Sequence, residues 1–77
     1  MKVALSIAGS DSGAGAGIQA DLKTFSALGV YGCTAITALT AQNTKKVAEI
    51  HEVPAGIVEA QVTSIMTDLP PAAIKVG

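Results

Sequence analysis

The chain has 77 residues, 49% hydrophobic and 14% charged, with a formal net charge of −1. A unit of this size buries only about 60% of its unfolded surface, so the composition reads as a segment of a larger domain. Lys2, Lys23, Lys45, Lys46 and Lys75 make no basic stripe for nucleic acid, and the opening apolar run is broken too soon by Gly9 to be a secretory core or a membrane span, so a soluble cytoplasmic protein is expected.

Val3 to Ala8 is nearly continuously apolar, as in a strand covered on both faces. Gly9 to Gly13 turns the chain, and the spacing of Ile18, Leu22, Phe25 and Leu28 predicts a helix near Ala16 to Leu28, stopped by Gly29. Thr34 to Thr40, rich in β-branched residues, predicts a second interior strand closed by Gln42-Asn43-Thr44. Cys33 at its entrance has no second cysteine to pair with and reads as a small buried side chain. Lys46 to Val53 is too short for a helix and reads as an extended connection or an edge strand. Pro54 suits a first helical turn; Val58, Val62, Ile65 and Leu69 then make one stripe, and Pro70-Pro71 ends it, giving a helix near Pro54 to Leu69. Ala72 to Val76 is the third strand. The order is βαβαβ, and right-handed crossovers make it an α/β unit with a three-stranded parallel sheet that has at least one edge without a neighbour.

Two polar loops thus leave the carboxyl edge of that sheet, where open α/β sheets bind ligands. Glycines 13, 15 and 17 are spaced G-x-G-x-G, and no Gly-Lys-Ser/Thr follows, so neither the dinucleotide fingerprint nor the P-loop is met. The loop reads either as a phosphate cradle or as a tight turn in which Asp11 or Ser12 caps the helix. Asp21 falls on the apolar stripe of its helix and faces inward, where a carboxylate needs a hydroxyl, an amine, a cation or a ligand as partner. Gln42 carries a carboxamide that can read a heteroaromatic nitrogen and its exocyclic amine, or is simply a polar turn residue. Lys75, inside an apolar strand, either snorkels or pairs with an acid such as Asp11, ahead of a direct phosphate contact, and His51, with no companion ligand, reads as solvated.

The run Ser6-Ile-Ala-Gly-Ser-Asp-Ser-Gly-Ala-Gly-Ala-Gly-Ile-Gln-Ala-Asp-Leu-Lys-Thr-Phe25, followed by Thr37-Ala-Leu-Thr-Ala-Gln-Asn-Thr44 and Ala73-Ile-Lys-Val-Gly77, closely resembles the hydroxymethylpyrimidine/phosphomethylpyrimidine kinases of thiamine biosynthesis, members of the ribokinase-like superfamily. The resemblance covers essentially the whole chain but only about the first third of a family member, so residues 1–77 are expected to be the N-terminal, substrate half-site segment of a ribokinase-like domain. It implies ATP- and Mg²⁺-dependent phosphorylation of a small pyrimidine and then of its monophosphate. Carried over, the backbone of Gly9, the carboxylate of Asp21 and the side chain of Gln42 are substrate contacts. The family's Gly-rich anion hole with its catalytic aspartate, and most of its nucleotide site, correspond to sequence downstream of Gly77, so no catalytic, nucleotide or metal residue is assigned here.

A homo-oligomer, or the remainder of its own domain, is the expected partner of the open sheet. The competing reading is a non-catalytic βαβαβ binding or assembly module that uses that edge. A dinucleotide-binding domain is disfavoured by the glycine spacing and the missing acid at the end of a second strand.

Overall fold

A computed structural model describes residues 1–77. The elements are β1 (Val3–Asp11), α1 (Gly17–Ala27), β2 (Tyr31–Gln42), β3 (Val47–Glu52), α2 (Ala55–Asp68) and β4 (Ala73–Val76). They build one sheet of order β3-β2-β1-β4, in which β1 runs parallel to both β2 and β4. The three parallel strands and two helices follow the predicted order.

The sheet has four strands rather than three, and it is mixed: β3 pairs antiparallel with β2. The connection explains the direction. Asn43 accepts the amides of Lys45 and Lys46 on Oδ1, and its own N–H donates to the Lys46 carbonyl, closing a hairpin with no room for a crossover. Every residue of β3 is exposed, so no burial rhythm marks it in the sequence.

The helices lie on opposite faces. On one face Leu5, Cys33 and Ala35 form the core, packed by Val3 and Ile7 and by Val62, Ile65 and Leu69 of α2. Cys33 is buried and free. On the other face β1 shows Ala4, Ser6 and Ala8 and β2 shows Gly32, where an added Cβ would stand 2.7 Å from Leu22 and 2.9 Å from Phe25 of α1. Small residues therefore let α1 settle closely on the sheet. The helix ends as the sequence suggests: Gly29 takes φ 71, its N–H donates to the Ser26 carbonyl, and that of Val30 donates to the Phe25 carbonyl, so the open carbonyls of the last turn are met.

At the other helix, Pro54 occupies the N-cap, one position before the first helical turn, with its carbonyl accepting from Ile57 and Val58. One contact of α2 is polar. Gln61 accepts the Ile36 amide on Oε1 at 2.9 Å and donates from Nε2 to the Ile36 carbonyl at 3.0 Å. Pairing with β3 has stopped by then, its last rung being the Val53 amide on the Thr37 carbonyl. The outer strand β4 is exposed along its length, with Ile74 and Val76 open. Neither helix is long and apolar enough to cross a membrane.

Candidate functional site

The carboxyl ends of β1 and β2 lie side by side, paired as far as Asp11 and Thr40. Their register slips between Ala8 and Ser10, at Gly9. Gly17, the first residue of α1, comes down on this point with φ 63; a Cβ there would be 2.3 Å from the Gly9 carbonyl oxygen. Gln19 then bridges helix and strand, accepting the Asp11 amide at 2.8 Å and donating to the Ser10 hydroxyl at 2.7 Å.

Between strand and helix, the loop wraps around one carboxylate. Asp11 Oδ1 accepts the Gly13 amide at 2.7 Å, and Oδ2 accepts those of Gly15 at 3.0 Å and Ala16 at 2.9 Å. Burial raises the pKa of this carboxyl, but the Gln42 carboxamide beside it and the three amides outweigh that, and it lies below its ordinary value. Asp11 thus gathers the loop and reaches the helix entrance at Ala16, which has no cap from its own side chain. Ser12 caps nothing on α1; its hydroxyl donates to the Gln42 carbonyl at 2.5 Å and accepts the Gln42 amide at 2.8 Å.

A second cluster sits on the α1 face of β1. Asp21 Oδ2 accepts the Ser6 hydroxyl at 2.6 Å and Oδ1 the Lys75 ammonium at 2.8 Å. The inward carboxylate of the sequence reading has two of its predicted partner types, a hydroxyl and an amine. Lys75 therefore pairs with Asp21 and not with Asp11. The reason is register: Lys75 stands opposite Ser6, beneath α1, while Asp11 lies farther along β1, past the end of β4. The bonds from Lys75 and then Ser6 hold the Asp21 carboxyl below its ordinary value against the opposing effect of burial.

Gly9 and Gln42 thus occupy the ends of neighbouring strands, and Asp21 lies over Ser6 on the same face as α1. Sequence reasoning did not single out Ser6 and Gln19. Ser6 was findable as the one polar residue in an apolar run set against an inward acid; Gln19 carried no signal. His51 is exposed, as expected, and lines an open depression of about 540 Å³ on the β2–β3 ribbon with Leu39, Ile50 and Glu49.

Residues 13–17 do not fit a nucleotide. The Gly13, Gly15 and Ala16 amides already point at a carboxylate, whose charge would repel a phosphate. No group of three His, Cys, Asp or Glu side chains stands ready for a metal ion.

Because both aspartates have lowered pKa values, the folded state binds fewer protons than the unfolded chain near their ordinary value of 3.8. Their stabilisation is therefore complete above that value and is lost as pH falls through the lowered folded values. Urea unfolding is expected to show stability declining as pH drops below 3.8, and Asp21→Asn should flatten part of that decline.

A family model described as phosphomethylpyrimidine kinase matches residues 11–77. A hydroxymethylpyrimidine/phosphomethylpyrimidine kinase of Rhizobium meliloti is 64% identical over 75 residues, which is 97% of this chain and 28% of the relative. Its counterpart in Mycobacterium tuberculosis is 56% identical over 73 residues, 95% of this chain and 26% of the relative. A crystal structure of phosphomethylpyrimidine kinase from Clostridium difficile superposes with a TM-score of 0.97 at 53% identity, over all of this chain and 33% of that one. The pyridoxal kinase of Staphylococcus aureus in complex with AMP-PCP gives 0.89 at 41% identity, over all of this chain and 28% of that one. The chain therefore spans about a quarter to a third of the length of these relatives.

Proposed function

The chain belongs to the phosphomethylpyrimidine kinase family, and from that premise we propose that it is the N-terminal, substrate half-site segment of a cytoplasmic kinase. This kinase transfers phosphate from ATP to 4-amino-5-hydroxymethyl-2-methylpyrimidine and to its monophosphate, on the way to thiamine diphosphate. Gly9, Asp21 and Gln42 contact the pyrimidine. The observation that carries the reading is the lacing of the two strand ends: the loop after β1 is bonded directly to Gln42 at the end of β2.

On this reading the Gln42 carboxamide, which lies beside Asp11, uses its carbonyl oxygen to accept from the exocyclic amine and an amide proton to donate to a ring nitrogen. Asp21, held ionised by Lys75 and Ser6, has lone pairs left to accept a further donor. Gly9 offers its backbone where the strand register slips. ATP and Mg²⁺, which supply the phosphoryl group and neutralise its charge, bind on residues of the kinase outside this segment. The remainder of the domain covers the open β4 edge, where Ile74 and Val76 are exposed, and the kinase works as a homo-oligomer without nucleic acid or membrane partners.

Coupled turnover assays test this. The complete kinase chain is expected to consume ATP in the presence of the hydroxymethylpyrimidine, whereas residues 1–77 alone should give no turnover above a blank, since they hold no donors placed for a transferring phosphoryl group. No turnover by the complete chain would leave the open β4 edge to speak for an assembly module instead.

A further inference from the structure

Gln42 stands where β2 has lost one of its two neighbouring strands. On one side β1 has ended, its last rung being Asp11 opposite Thr40. On the other side β3 still pairs Gln42 with Val47, past a register shift between Ala41 and Gln42. The N–H and carbonyl that face the β1 side therefore need another partner.

The Ser12 hydroxyl is that partner. It donates to the Gln42 carbonyl at 2.5 Å and accepts the Gln42 amide at 2.8 Å, so both backbone polar groups of one residue close on one oxygen, as a neighbouring strand would have closed on them. Gly13 lets the loop lie close enough: a Cβ there would be 3.1 Å from the Asn43 Cα and 3.3 Å from the Gln42 carbonyl oxygen. The Gln42 carboxamide lies beside Asp11, the residue before Ser12. The main chain of Gln42 is thus held by the loop after β1.

We propose that Ser12 is a positioning residue for pyrimidine recognition, acting through Gln42. This rests on the reading of Gln42 as a pyrimidine contact. Ser12 is exposed, so water can replace its hydrogen bonds when it is removed; what is lost is the preorganisation of Gln42, not the fold.

Calorimetric titration of the complete kinase chain with 4-amino-5-hydroxymethyl-2-methylpyrimidine, and separately with ADP, tests the proposal. Ser12→Ala is expected to raise the pyrimidine Kd by about fivefold while leaving the ADP Kd within about twofold. Ser12→Thr, which keeps the hydroxyl, should restore most of the affinity. Ser12→Ala added to Gln42→Ala should cost nothing further, because the hydroxyl then has no carboxamide to aim. Weaker pyrimidine binding in Gln42→Ala with none in Ser12→Ala, or effects that add, would overturn the positioning role alone. Equal losses for pyrimidine and ADP would overturn it as well, by showing a general loosening. No loss in Gln42→Ala would overturn the reading of Gln42 itself, and the proposal with it.

Discussion

Gly17→Ala is expected to destabilise the protein by roughly 3 kcal/mol or more, the largest effect of any glycine-to-alanine change in this chain. Two costs combine. The residue has φ 63, where an L side chain is strained by about 1–2 kcal/mol. The new Cβ would also lie 2.3 Å from the Gly9 carbonyl oxygen and 3.2 Å from its carbonyl carbon, both backbone atoms of a central strand that cannot swing aside. Gly29→Ala separates the two, because φ there is 71 and nothing lies within 4 Å of the added carbon. Only the strain of about 1–2 kcal/mol should then appear. Denaturant unfolding of the complete chain and of both variants measures the difference, and equal losses at the two positions would show that the helix does not press on Gly9 as described.

Asp21→Ala should weaken binding of the hydroxymethylpyrimidine by between about tenfold and 150-fold, as befits a charge-assisted hydrogen bond, with nucleotide affinity changed by less than about twofold. The same substitution strands the Ser6 hydroxyl, which is fully buried, at a stability cost of about 1–3 kcal/mol. Lys75 contributes little to that loss, since its side chain is 55% exposed and water can take the ammonium. Adding Ser6→Ala should therefore return most of the stability without returning the affinity. That double variant keeps the two roles of Asp21 apart: binding that recovers along with stability would mean the carboxylate supports the fold and does not touch the substrate.

The sequence was most readable where burial is two-sided. Val3 to Ala8 had to be a strand covered on both faces, and Leu5 and Ala4 are indeed buried on opposite sides of the sheet. The stripe of α1 likewise located Asp21 as inward-facing. Its partner was harder to find, because Lys75 is 54 residues away and the choice between Asp21 and Asp11 depends on strand register, which local pattern does not carry. Pattern offered Asp11 as a helix cap, which its bond to the Ala16 amide meets, but not its hold on the rest of the loop: the turn includes Ala14 at φ 62, and alanine does not announce a left-handed backbone. β3 was legible only as one of two alternatives, an extended connection or the edge strand it is, because a strand exposed on both faces has no apolar rhythm, and Gln61 gave no signal because a polar residue on an open helix looks like every other one.

Gln61 presents to Ile36 one acceptor and one donor joined by a planar amide, which is what a peptide bond presents. To that stretch of β2 it is a counterfeit strand one rung long, carried on a helix and so unable to continue. Any intruding chain that tried to extend the sheet there would first have to evict it and would then meet α2 behind it. The hairpin strand β3 can therefore be short without leaving the flank of β2 open to recruitment, and the molecule blocks edge-to-edge polymerisation at this flank with a single side chain.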